Sequence, residues 1–382
     1  MASELKVNTI TEATSGSGIT FAKDIIPATP LSHRNMIING GMQVWQRKTS
    51  ATAAGGGDYS TVDRWRFEEG TSGAYTSEKE TLSVADQRDT GHRTAIKLVV
   101  TGTDTSLTGN EHAYMFTRLE AQDLQHLQYG SANAKTLTLS FWVKSNLAGT
   151  YCAYMRKLDN TAYYVVKEYT IGTANTWEQK KIVITPTEGS TSLITSAAGA
   201  IDNDNGIGLE LGFSLAFGPN YQTTKDTWQT AEDYTTSGAV NWLGASNNFY
   251  ITGVQLELGS VATPFEHRSY ADELARCQRY FYRAVCHNAY QGFLVVSNYA
   301  SNAARGTFTL PQVMRAVPTF SDSGTFQTTS GTDVALSDIY AADGGGNPHV
   351  SMHVGGFGSA QDSYHLRAKN DAASYFQFSA EL

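Results

Sequence analysis

Between residues 207 and 217 the chain alternates without a fault. Ile207, Leu209, Leu211, Phe213, Leu215 and Phe217 fall on one side, and Gly208, Glu210, Gly212, Ser214 and Ala216 on the other. A period of two over this length fits a β-strand with one apolar face and excludes a helix, whose period is 3.6. Such a strand needs neighbours in a sheet and a second layer over its apolar side. Residues 136–144 repeat the pattern, with Leu137, Leu139, Phe141 and Val143 opposite Thr138, Ser140, Trp142 and Lys144. Further strand-like runs occupy 95–100, 151–157, 162–169, 181–185 and 249–258, with residues 158–161 as a hairpin turn. Eight or more antiparallel strands over 34–268 predict a jelly-roll β-sandwich. The stretch 218–248 has no such period and reads as long loops.

Past that region the period changes. Over 270–283 Leu274, Cys277 and Phe281 share a helical face, Ser269 stands at the cap position, and Asp272 and Glu273 fall in the first turn. This is the one helix the pattern predicts, a connector over 269–284. Residues 285–382 return to strands, at 293–296, 306–310 and 374–380, with glycine-rich loops at 343–348 and 355–358. They predict a smaller C-terminal β-sandwich. Residues 1–33 hold two short alternating runs around a Gly/Ser turn, too little to fold alone, and read as an extended arm that orders against other chains. The expected class is therefore all-β: two sandwiches joined by one short α-helix, with an N-terminal arm.

Charge and cysteine content narrow the function. The 382 residues carry a net charge of −8, and no run of Lys and Arg exceeds a dipeptide, so nucleic acid is not expected as a partner. No apolar stretch approaches the ~20 residues that cross a membrane as a helix, and residues 1–8 lack a signal-peptide pattern. Cys152, Cys277 and Cys286 are odd in number and lack C-x-x-C spacing, which excludes a disulfide framework and a cysteine zinc site. No cofactor is expected. Residues 202–206 (Asp-Asn-Asp-Asn-Gly) open like a calcium loop, but Ile207 and Phe213 stand where that loop needs Gly and Glu. His349 and His353 are four apart in surroundings that are not helical. No nucleophile elbow or phosphate loop occurs, so no catalytic residue is assigned. Sugar rings stack on Trp and Tyr. Trp142, on the polar side of its strand, and Tyr221, Trp228 and Trp242, in the loop-rich stretch, are therefore the candidate glycan contacts. Tyr340, His349, His353 and Tyr364 join them as candidates at the far end of the C-terminal domain.

Four segments resemble tail-fibre and related virion adhesion proteins of tailed bacteriophages, of the marine podovirus type. Residues 5–21 are similar to their short leader. Asn35 to Arg47 (NMIINGGMQVWQR), with Asp63-Arg64-Trp65, is similar to the opening of their carbohydrate-module-like jelly roll, and Val254 to Glu266 (VQLELGSVATPFE) to its closing strand. Met314 to Thr319 (MRAVPT) resembles a motif of the distal β domain. The resemblance implies packing roles for Trp45, Trp65, Leu256 and Leu258. It also implies a non-enzymatic virion protein, commonly a homotrimer, anchored to another virion protein through its N-terminal arm and binding a host-surface glycan. A purely structural or capsid- or tail-decorating protein, and a capsule depolymerase, are the alternatives.

Overall fold

The alternation at 207–217 becomes the middle of a sheet because both of its edges find partners. The computed structural model describes residues 32–382 except 54–55, 245, 301–302, 341–347 and 356–361; the side chains of 337–340 also lie outside that description. The arm expected over 1–33 therefore falls outside the described residues up to position 31, as do most of the loops expected at 343–348 and 355–358.

In chain order the first domain has strands β1 (Ser50–Ala53), β2 (Gly56–Asp58), β3 (Arg66–Glu69), β4 (Ala74–Thr81), β5 (Thr94–Gly102) and β6 (His112–Glu120). There follow β7 (Leu137–Ser145), β8 (Gly149–Lys157), β9 (Tyr163–Ile171), β10 (Glu178–Ile184), β11 (Ile207–Phe217) and β12 (Asn248–Leu258). They form two six-stranded sheets, ordered β1-β4-β5-β12-β7-β10 and β2-β3-β6-β11-β8-β9. All pairs described are antiparallel. From β5 to β8, and again from β10 to β12, each step crosses to the other sheet, the jelly-roll path. The inward residues of β7 and β11 meet between the layers, where the rings of Phe141 and Phe213 lie 4.9 Å apart. Trp65 is wholly buried there, and Trp45 packs half-buried at the margin.

Strand β12 changes face part-way. Phe249 and Ile251 point inward, then the register slips between Thr252 and Gln255, and Val254 and Leu256 take over the inward positions. One extra residue reverses every side chain beyond it. Gly253 sits at the slip with φ +62, and a Cβ there would stand 2.3 Å from Nε2 of His92. Beside this half of β12 runs the start of the domain: Met36 donates its amide to Leu256 and Val254 donates to Gly40, each at 2.9 Å.

Among the described residues two α-helices are present where one was expected. Helix α1 (Val84–Thr90) is capped by Ser83, whose hydroxyl accepts the Asp86 amide, and stopped by Gly91 in the left-handed region. Helix α2 (Tyr270–Gln278) begins at Ser269 as expected but ends five residues early. Phe281, expected on its apolar face, instead starts β13 (Phe281–Val285).

The C-terminal domain continues with β14 (Gly292–Ala300), β15 (Ala303–Thr309), β16 (Thr319–Ser323), β17 (Phe326–Thr328) and β18 (Asp333–Val334). Its last strands are β19 (Leu336–Tyr340), β20 (His349–Gly355), β21 (Ser363–Ala368) and β22 (Tyr375–Ser379). A three-stranded sheet, β13-β22-β16, faces a seven-stranded one, β18-β17-β21-β14-β15-β20-β19. Phe376 and Phe378 fill the space between them with Val296, Met352 and Leu366.

Charged side chains join the two sandwiches. The Glu381 carboxylate accepts from Arg47 at 2.7 Å and from Arg64. Arg279 forks onto Glu120 at 2.7 and 2.8 Å. Arg315, in the segment 314–319 singled out above, donates to Asn205 of the first domain and to the carbonyls of Ala380 and Glu381. The polar run 202–206 is thus a turn whose Asn205 receives the C-terminal domain.

Candidate functional site

The outer face of the first sheet carries an aromatic platform. By register, Trp142 on β7 lies between Thr252 on β12 and Gln179 on β10. Two residues along β7, Lys144 lies beside Tyr250, which in turn lies beside Lys97 on β5. Trp177, just before β10, closes the group: its ring is 6.2 Å from that of Tyr250, close to edge-on. The Lys144 ammonium sits 4.9 Å from the Trp177 ring and 4.6 Å from the Tyr250 ring. Trp142, Trp177 and Tyr250 are all partly open to solvent.

Polar groups border these rings. Asp86 on α1 approaches Lys144 at 3.9 Å, so α1 forms one wall of the platform. Lys97 pairs with Glu78 at 3.0 Å, and the hydrogen bond to that carboxylate holds its ammonium above the ordinary lysine range. Burial pushes the Tyr250 phenol up, Lys97 counteracts this, and the nearby carboxylates Glu80, Glu78 and Asp86 add to it, so at neutral pH the phenol keeps its proton for a ligand acceptor. The buried indole N–H of Trp177 has no acceptor among the described residues. Flat rings flanked by hydroxyl, amide and carboxylate groups suit a sugar, which presents C–H faces and hydroxyls.

Only Trp142 of the expected contacts belongs to this platform. Trp228 and Trp242, expected to meet a ligand, are core residues, 1 % and 0 % exposed. Trp228 donates its indole N–H to the Thr185 carbonyl at 2.8 Å, and Trp242 lies edge-on to Tyr75 at 5.8 Å. Both indoles lie inside the sandwich, so neither offers a face to a sugar. Tyr221 packs on the outer face of the second sheet among Phe217, His112 and Tyr234, with centroids 5.5 to 5.9 Å away. The chain thus covers that face with its own loop.

The four C-terminal candidates do not converge. Tyr340 ends β19, and its side chain is outside the described set. His349 and His353 lie on the outer face of the seven-stranded sheet. Tyr364 turns to the inner side, packed on the second core, with its hydroxyl on Asp362 at 3.2 Å.

Trp177 and Tyr250 were not singled out from the sequence. For Tyr250 the signal existed, since Phe249 and Ile251 alternate around it; Trp177 precedes its strand and carries none.

A cavity of about 410 Å³ opens between the first sandwich and α2, lined by Asn35, Glu120, Asp123, His126, Arg268 and Tyr280 among others. Two of its strongest polar groups are engaged within the protein. Glu120 is held by Arg279, and Arg268 donates to the carbonyls of Asn35 and Ile37. Among the described residues no group of three or more His, Cys, Asp or Glu is placed to hold a metal ion, and no helix is long and apolar enough to cross a membrane.

No family model matches the sequence, and no curated protein matches it. Several solved structures are similar over part of the chain. The enzymatically active domain of tailspike protein 4 of bacteriophage CBA120 matches at 13 % identity and a TM-score of 0.29, over 59 % of this chain and 21 % of that one. A putative sugar-binding protein from Bacteroides thetaiotaomicron matches at 14 % identity and a TM-score of 0.31, over 59 % of this chain and 100 % of its own. A family 11 carbohydrate-binding module from Clostridium thermocellum, solved with a β-1,3-1,4-mixed-linked tetrasaccharide, matches at 13 % identity and a TM-score of 0.28, over 56 % and 98 %. The chain thus spans about a fifth of the length of the tailspike chain it matches.

Proposed function

We propose that this protein is a non-catalytic glycan-binding protein of a phage particle, and that a host-surface sugar stacks on the platform of Trp142, Trp177 and Tyr250. The observation that carries the reading is the grouping of Trp177 and Tyr250 around Lys144, with Trp142 two residues along the same strand on the same open sheet face. A chain that needs such rings only for its core keeps them between the sheets, as it does with Trp65 and Trp242. Placement on the virion, as a homotrimer held through the N-terminal arm, rests on the resemblance of 35–47 and 254–266 to virion adhesion proteins. Weak sugar contacts gain from several linked copies, by ~10²–10⁴ in avidity.

The test is titration of the purified chain with host-envelope polysaccharide, alongside Trp142→Ala and Trp177→Ala. A stacking contact of ~0.5–1.5 kcal/mol predicts a loss of affinity of about 2- to 13-fold for each variant. Affinity unchanged in both removes the platform from the reading. A wild-type chain that ignores the polysaccharide yet incorporates stably into particles is a structural protein, and one that releases reducing ends is a depolymerase. Sedimentation of the purified chain reports the assembly, with a trimer expected.

A further inference from the structure

The seven-stranded sheet of the C-terminal domain turns a second face to solvent, opposite in character to the chain as a whole. By alternation and register, Ser297, Arg305 and His353 form one row across β14, β15 and β20. Val295 and His365 form the next across β14 and β21. Arg367 lies two residues beyond His365, and His349 lies opposite Thr309. Large side chains stand open here: Val295 is 50 % and Tyr299 51 % exposed. The Arg305 guanidinium lies 5.2 Å from the Tyr299 ring and that of Arg367 lies 5.0 Å from the Tyr290 ring. Gln327 accepts from Arg367 at 3.2 Å. Among the described residues neither guanidinium has a carboxylate partner, although the chain carries 36 Asp and Glu against 28 Lys and Arg. The acidic residues nearby are Asp338, opposite His353 in register on the edge strand, Asp362, which accepts the Tyr364 hydroxyl, and Asp333, which pairs with Lys369 at the other rim.

We infer that this face binds a polyanionic glycan, a polysaccharide bearing carboxylate or phosphate groups at intervals. Charge complementarity selects the occupant: two guanidiniums with no carboxylate partner among the described residues, each beside an aromatic ring, with histidines between and around them. Spacing selects a polymer over a single small anion. Arg305 and Arg367 stand two strand spacings apart across the sheet and four residues apart along it, a Cα separation of about 17 Å. One anionic group cannot reach both. This face lies on a different domain from the Trp142 platform, and its binding does not depend on it.

The experiment passes the full chain over immobilised polygalacturonate, polyphosphate and neutral dextran, with Arg305→Ala, Arg367→Ala, the double variant and Trp142→Ala in parallel. Retention is expected on an anionic polymer but not on dextran. It should persist at about 0.1 M salt and fail at about 1 M, as the Debye length falls from ~10 Å to ~3 Å. Each arginine variant should weaken it by about five-fold and the double variant by about twenty-fold, the loss of solvent-screened surface charge contacts. On polyphosphate, which has no sugar ring to stack on the platform, Trp142→Ala should leave retention unchanged, which separates this face from the platform. Comparing polygalacturonate with polyphosphate tells which anion is preferred. The inference is overturned if neither anionic polymer retains the wild type, or if the double variant, melting as wild type does, binds equally well. It is also overturned if sedimentation finds a second copy covering this face, seen as a dimer that Arg305→Glu dissociates.

Discussion

Replacing Glu381 by Ala tests the union of the two sandwiches. Its carboxylate is 7 % exposed and touches two guanidiniums, Arg47 (6 % exposed) and Arg64 (1 % exposed). Arg47 keeps a second carboxylate, Asp63, at 3.2 Å. Among the described residues Arg64 keeps the Arg118 carbonyl at 2.6 Å and the face of Tyr280 at 3.4 Å but no second carboxylate. Burial is the largest influence and works against the Arg64 charge; the Glu381 carboxylate, joined by Tyr280, Tyr59 and Cys277, more than offsets it and holds the guanidinium above its ordinary range. Removing one partner of a buried pair typically costs ~3–5 kcal/mol, because the remaining charge stays buried without compensation. At roughly 2–4 °C per kcal/mol for a unit of this size, the melting temperature should fall by about 10 °C. Calorimetry should also resolve the wild-type transition into two as the sandwiches melt separately. Arg64→Met alone and combined with Glu381→Ala completes a double-mutant cycle, and the combined loss should be smaller than the sum. A Glu381→Ala variant that melts within about 1 °C of wild type, as one transition, would refute the reasoning, since no such residual charge could then be buried.

Stability should also respond to pH through His92. Burial, then the neighbouring His267, pushes its imidazole from 6.5 down to about 4. The folded protein therefore holds this proton less tightly than the unfolded chain. The contribution is complete above about pH 6.5 and is lost as the pH falls towards 4, a change of about 3 kcal/mol. Urea melts at pH 7 and pH 4.5 should show that loss in wild type and a smaller one in His92→Phe; equal losses would rule His92 out as the source. Trp228→Ala should lower stability by about 3–5 kcal/mol and leave sugar affinity intact in the folded protein, the reverse of Trp142→Ala. Thermal melts and titrations on the same samples check both, and a Trp228→Ala variant with unchanged stability and lost affinity would return that residue to the binding site.

The sheet interior was legible wherever a period of two ran long enough. Residues 137–143 and 209–215 alternate, and their odd-numbered side chains enter the core between the sheets; beyond Ser214 the register slips, and Phe217 turns to the outer face. The face of Trp142 followed from the same rule. The slip at Gly253 was not legible, because Val254, Leu256 and Leu258 continue a clean alternation and only the preceding half of the strand is out of phase. Helix α1 was missed because its sequence has no apolar stripe; Ser83 before it and Gly91 after it were its readable signals. Helix α2 was drawn too long because Phe281 falls four residues after Cys277. In the fold, pairing of Phe281 with Ser379 outweighs that spacing. Trp228 and Trp242 were misplaced because 218–248 has no period to say which side of the chain is inward, and large aromatics are the residues a core recruits when it can.

The hydrogen bonds between residues 36–40 and 254–256 bring the start and finish of the jelly roll side by side. Whatever lies between them, more than two hundred residues of sheet and loop, is spliced into the chain at nearly one point in space. A cassette built this way can be exchanged for another with the same closing pair while its flanks move little. The first sandwich could then be replaced wholesale by recombination, leaving the helix α2 connection and the C-terminal sandwich in place.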